Sequence, residues 1–281
     1  MKRIVILLLI ITGLYIVFNQ SFQFDGFAIG GSKDGRAALS NNIEIIDINV
    51  GGVKTTIIPE NRDDVEAVLT GKGSLIVKET GSRLVVETKK RLFNWFSFSE
   101  KRQLKIYIPE DYNREMKIQI GSGSLNFSGE SMQLDELSLD IGSGNVSLDH
   151  IEVNEFTHDG SSGNVVIDTL VTKTGTFDLS SGNLEIEHYS GAFHADVSSG
   201  RLLLQMDKLN DPIDIDLSSG NVDLDLPDNA DFTLDSEVSS GNISSEFPLT
   251  TESDTKNLKG KHGSGKNKID ISVSSGDVDI F

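Results

Sequence analysis

The chain contains no cysteine among its 281 residues, and aromatic side chains make up only 7% of it. The absence of cysteine excludes disulfide bridges, thiolate metal sites, a thiol nucleophile and lipid attachment to an N-terminal cysteine. The scarcity of aromatic rings predicts a core of small branched side chains, which suits a thin, extended core.

A Ser-Ser-Gly tripeptide, or its Gly-Ser-Gly variant, returns about every twenty residues through the second half of the chain. Aliphatic and polar residues alternate on both sides of each copy, which indicates strands with one buried face. Glycine adopts positive φ freely and asparagine tolerates it, so each copy is predicted to be a corner between two strands. The corner glycines are Gly144, Gly163, Gly182, Gly200, Gly220, Gly241 and Gly276.

One such coil buries too few aliphatic residues to be stable alone, so neighbouring coils must stack on it. The sequence therefore predicts an all-β protein, a β-solenoid with about twenty residues per coil. The asparagines that follow five corners would then align, either as a stacked structural ladder, which we favour, or as a row of ligand-binding amides. They are Asn145, Asn164, Asn183, Asn221 and Asn242.

The N-terminal sequence predicts a location outside the cytoplasm. Residues 1–3 form a short basic tip, and the apolar run 4–18 follows as a membrane-anchor helix or the core of a signal peptide. No convincing cleavage site follows, so we favour a single-pass anchor with its N-terminus in the cytoplasm. Residues 19–42 are predicted to be a flexible spacer and residues 43–281 the solenoid domain. Three strands are predicted to end at Pro59, Pro109 and Pro227.

One basic and aromatic segment, residues 89–102, interrupts a chain whose formal net charge is −18. It is either a hairpin whose rings cap the open end of the solenoid, which we favour, or a patch that binds an anionic surface. The residues of this possible patch are Lys89, Lys90, Arg91, Trp95, Phe96, Lys101 and Arg102.

Catalytic interpretations have little support in the sequence. Residues 260–267 resemble a phosphate-binding loop, but Asn267 replaces its final Ser or Thr, and the loop could be another corner. The five histidines have no metal-ligand spacing, and the many aspartates alternate with core residues like a solvated strand face. A polysaccharide-active enzyme and a calcium site remain alternatives. We expect no enzyme activity, no cofactor and neither a nucleotide nor a nucleic-acid partner.

The N-terminal apolar run, the strand at residues 104–109 and the serial Ser-Ser-Gly-Asn corners together resemble the LiaG-like putative-adhesin family of bacterial envelope proteins. The resemblance implies a β-solenoid without enzyme activity, and for some members a genetic link to envelope-stress regulators. The predicted function is a membrane-anchored, extracytoplasmic binding module whose partner is an envelope protein or a wall polymer. A structural or adhesive stalk is the alternative.

Overall fold

The structure, a computed structural model, describes residues 33–89, 102–130, 132–251 and 257–281. Eighteen strands and no helix lie in these ranges, which confirms the all-β prediction. The strands are β1 (Asp34–Ala38), β2 (Ile45–Glu60), β3 (Asp64–Thr70), β4 (Ser74–Thr80), β5 (Arg83–Lys89), β6 (Gln103–Pro109), β7 (Glu115–Ser128), β8 (Gln133–Ile141), β9 (Asn145–Asp149), β10 (Ile151–Gly160), β11 (Asn164–Leu179), β12 (Asn183–Val197), β13 (Arg201–Met206), β14 (Ile213–Asp225), β15 (Phe232–Ser245), β16 (Thr250–Thr251), β17 (Lys259–His262) and β18 (Asn267–Ile280).

The central strands stack as parallel coils in chain order. Strand segments before each corner, such as β8, pair on one side of the stack, which we call side A. Segments after each corner, such as β9, pair on a second side, side B. Several strands run through a corner and serve both sides; β14, which passes through the corner at Gly220, is 13 residues long.

Inward-pointing side chains of successive coils form continuous columns. One column on side A joins Leu139, His158, Phe177, Ala195 and Ile215 in register. Some of the few aromatic residues form a cluster in this core, in which Phe177 stacks on Phe193 at a centroid distance of 4.6 Å. Gly175 makes room for this cluster, since a Cβ atom there would lie 2.7 Å from the Phe177 ring.

The corner glycines stack on one another, but positive φ explains only some of them. Gly220, Gly241 and Gly276 have positive φ, whereas the other four do not, so the sequence-based explanation is wrong for those four. At Gly182 the requirement is close packing between coils, because a Cβ atom would lie 2.6 Å from the carbonyl oxygen of Gly163. Glycine is needed there to let two backbones approach each other.

Spatial order departs from chain order at both ends of the stack. Strand β2 pairs with β7 on one side and with β5 and β6 on the other. The coil formed by β5 and β6 therefore lies outside the coil formed by β2, although it comes later in the chain. At the opposite end, β18 lies between β14 and β15. The repeat predicts neither exchange, because it fixes the shape of a coil and not its position in the stack.

Antiparallel strands cover part of the outermost coils. Strands β3 and β4 pair with β6 and β5, and β17 pairs with residues 232–235 of β15. Strand β1 adds to β3, so residues 34–38 are part of the folded domain and not of the flexible spacer predicted over 19–42. These strands shield the edges of the stack, as open β-structures require.

The predicted strand ends at proline are confirmed. Pro59 and Pro109 lie at the ends of β2 and β6, and Pro227 follows β14 by two residues. Within the described ranges no helix has the length and apolar character that crossing a membrane requires. The predicted anchor, residues 4–18, lies outside those ranges.

Candidate functional site

An open groove of about 680 Å³ lies on side B. Its floor follows two columns of outward-facing residues across β2, β7, β9 and β11. One column consists of Thr56, Asn126, Ser147 and Val166. Four strands at a spacing of about 4.8 Å give this floor a length of about 14 Å, enough for a short extended segment of a polymer.

Hydroxyl, amide, apolar and carboxylate groups all line the groove. The carboxylates belong to Glu130, Asp149 and Asp168. The Ser128 hydroxyl donates a hydrogen bond to Asp149 at 3.3 Å. No lysine or arginine is among the described residues that line the groove. Such a lining favours an uncharged or amine-bearing ligand over a polyanion.

A row of exposed aspartates crosses side A. Asp140, Asp159, Asp178, Asp196 and Asp216 occupy the same register position in five successive coils. Among the residues that the structure describes, no group of three acidic, histidine or cysteine side chains is arranged to hold a metal ion.

The predicted asparagine ladder is aligned, with Arg201 and Asp277 at the same register position in two of the coils. The asparagine side chains are exposed. None of the side-chain hydrogen bonds found in the described ranges joins two of these residues. The alignment therefore comes from backbone register and not from an amide ladder.

Two residues of the predicted basic and aromatic patch are described. Lys89 is exposed at the end of β5, and Arg102 precedes β6, where its guanidinium donates to the Gly52 carbonyl at 3.4 Å. The other five, Lys90, Arg91, Trp95, Phe96 and Lys101, lie outside the described residues.

The loop that resembles a phosphate-binding motif surrounds a carboxylate of the same chain. The sequence suggested that this loop could be another corner, but in the structure it is the turn between β17 and β18. The Ser264 hydroxyl and the backbone amides of Gly265 and Lys266 donate to Asp231 at 2.6, 2.6 and 3.0 Å. These hydrogen bonds lower the pKa of the Asp231 carboxyl below its ordinary value. The donors that would hold a phosphate are thus engaged within the fold.

One histidine occupies a core position that the sequence pattern did not reveal. His158 is 1% exposed, and its Nδ1 donates to the Leu139 carbonyl at 3.2 Å. Its Nε2 has no hydrogen-bond partner among the described residues. Burial lowers the pKa of this imidazole below its ordinary value, because the charged form would lose its hydration. The available sequence signal was the position of His158, two residues after Phe156 in β10, because residues two apart in a strand face the same side.

Sequence reasoning also missed the groove. Its floor residues belong to four separate strands, of which β2 is brought beside β7 only by the exchanged order of the first coils. The one available signal was that Asn126, Ser147 and Val166 each lie three residues after the last glycine of a Gly-Ser-Gly or Ser-Ser-Gly tripeptide.

The sequence model of the Toastrack DUF4097 family matches residues 43–281 of this chain. No curated protein is significantly similar to the chain in sequence.

Three solved structures illustrate the structural similarity. A "putative adhesin" from Bacteroides fragilis has 13% identity and a TM-score of 0.46, and the alignment covers 88% of this chain and 96% of that one. A "putative lipid binding protein" from Parabacteroides distasonis has 13% identity and a TM-score of 0.44, covering 90% and 98%. A "putative cell adhesion protein" from Clostridium sporogenes has 13% identity and a TM-score of 0.33, covering 88% and 98%.

Proposed function

Because the chain belongs to the Toastrack DUF4097 family, we propose that it is a binding module held outside the cytoplasm by its N-terminal segment. The match supports the broader resemblance to putative-adhesin proteins. Membership of the LiaG-like branch, with its link to envelope stress, is part of the proposal.

The groove on side B is the observation that carries this proposal. It offers polar and apolar contacts over four coils, and the buried column behind it, which includes Phe127 and Leu148, holds its floor in place. Binding sites are typically preformed concavities on a rigid scaffold. We propose that the groove takes an extended, uncharged or amine-bearing segment of an envelope component.

Site-specific photo-crosslinking of the full chain in a bacterial host would test this function. A crosslinker at Ser147 lies in the groove, and one at Thr157 lies on side A as the matched control. We expect a discrete adduct from position 147 alone, lost when Val166→Arg places a bulky cation in the groove. Enzymatic digestion of the adduct with muramidase or protease would tell a wall glycan from a protein.

A structural or adhesive stalk predicts a different result. A stalk needs its length and its attachment but no occupied groove. Unchanged surface attachment in the Val166→Arg variant, together with no adduct from position 147, would favour the stalk over the binding module.

A further inference from the structure

The fold gathers basic residues at one corner of the stack, beside the β5–β6 coil. We call the following five residues the basic corner: Lys33, Lys54, Lys72, Lys89 and Arg102. Within three positions of any of them, the described residues include seven basic and two acidic ones, and one of the basic residues, Arg36, is paired with Asp64 and Glu66. This local excess is the opposite of the net charge of the whole chain, −18.

Backbone pairing brings these residues together from five parts of the chain. Arg102 packs against Gly73, the neighbour of Lys72, and its carbonyl accepts a hydrogen bond from the Lys54 amide at 3.1 Å. Lys89 lies opposite Ser74 in the β4–β5 pair. The Lys33 carbonyl accepts a hydrogen bond from the Leu69 amide at 2.6 Å, close to the β3–β4 turn that contains Lys72.

Four residues of the basic corner form no ion pair within the described part of the chain. The four lysines are exposed. None of the ion pairs found among the described residues involves Lys33, Lys54, Lys89 or Arg102. A cluster of exposed cations of this kind attracts an anionic surface.

We propose that the basic corner docks onto the anionic phospholipid headgroups of the membrane that holds the chain. This inference rests on the proposed anchor at residues 4–18. The chain enters the folded domain at Lys33, so only residues 19–32 separate the anchor from the corner. Fourteen residues span at most about 50 Å. Such a tether keeps the corner near the bilayer, where weak charge attraction suffices for contact.

The distribution of acidic residues would set the orientation of the docked domain. Residues 33–131 contain 15 basic and 14 acidic residues, whereas residues 132–281 contain 8 basic and 28 acidic ones. An anionic bilayer attracts the first region at its basic corner and repels the second. The acidic coils would therefore point away from the membrane, and the groove would face the space outside it.

Energy transfer from a dye on the full chain to a headgroup-labelled lipid would test the docking. Because the chain has no cysteine, Thr70→Cys provides one labelling site near the basic corner and Ser244→Cys one in the outermost coil of the opposite end. In phosphatidylglycerol vesicles we expect strong transfer from position 70 and weak transfer from position 244. Transfer from position 70 should fall severalfold in phosphatidylcholine vesicles and at about 0.5 M salt.

Charge variants complete the experiment. Changing Lys33, Lys54, Lys72 and Lys89 to Gln should reduce transfer on phosphatidylglycerol to the phosphatidylcholine level. The matched control changes Lys173, Lys208, Lys261 and Lys266 to Gln. It removes the same amount of charge elsewhere on the domain and should leave the energy transfer unchanged. Equal transfer on both lipids, or no effect of the corner variant, overturns the proposal. Flotation with vesicles reports the anchor separately, so failure to float would overturn the proposed anchoring instead.

Discussion

The central coils and the two ends of the stack solve the same packing problem differently. In the centre, from β8 to β14, each coil stacks on the coil that precedes it in the chain. The corner glycine of each coil lies against the corner glycine of that preceding coil. At the ends the coil order is exchanged, and antiparallel strands lie outside the parallel ones. A repeat can thus extend a stack but cannot finish it, because the last coil has no partner on its outer edge.

The largest expected effect comes from breaking the exchanged end. Ile271 in β18 is 2% exposed and lies between Ile215 and Ser236 in register. Ile271→Asp should destabilise this end by more than about 4 kcal/mol, because it buries an unpaired charge. Hydrogen exchange should then show that β15 loses protection together with β18, while β8 to β13 keep theirs.

A matched change at the exposed neighbour, Ser272→Asn, should leave protection of both strands intact. If β15 stays protected in the Ile271→Asp variant, then β15 is held by contacts other than β18, and the exchanged order does not control the stability of this end.

The second prediction separates close packing from backbone conformation. Gly182→Ala in the centre should cost about 3 kcal/mol, because the new Cβ would meet the Gly163 carbonyl. Gly81, in the β4–β5 turn, has φ of 62°, and a Cβ atom there would have no neighbouring atom within 4 Å. Gly81→Ala should therefore cost only about 1 kcal/mol. Urea denaturation of the two variants would compare them, and equal costs would remove the close-packing explanation.

The third and smallest effect concerns His158 in the central coils. Its folded pKa is lowered by burial, so below about pH 6.5 the unfolded state binds more protons than the folded state. Stability should therefore fall as the pH drops below about 6.5. His158→Leu should remove that slope and add about 1–3 kcal/mol, because it deletes an unpaired buried nitrogen.

Urea denaturation at several pH values would measure this effect. The adjacent exposed change, Thr157→Leu, should leave the slope as it is in the unmodified protein. A slope that persists in the His158→Leu variant would show that other groups cause it.

The sequence was sufficient to predict the coil and its stacking, but not the order of the coils at the two ends of the stack. Alternating residues around each Ser-Ser-Gly identify strands, corners and inward columns, because these depend only on neighbours along the chain. The reason for Gly182 could not be read there, since it lies in the carbonyl of another coil. The groove was missed for the same reason, and of the basic corner the sequence indicated only Lys89 and Arg102, as part of the basic and aromatic segment. Lys54 and Arg102 are 48 positions apart and meet only because β6 pairs with β2.

The position of β18 also constrains when the domain can become complete during synthesis. Strand β15 precedes β18 by about twenty residues in the chain, yet its parallel partner is β18. A growing chain can assemble coils through β14 one after another, but β15 must wait until residues 267–280 have emerged and moved in ahead of it. A chain interrupted before that point would expose an unfinished sheet edge, which makes it a target for degradation.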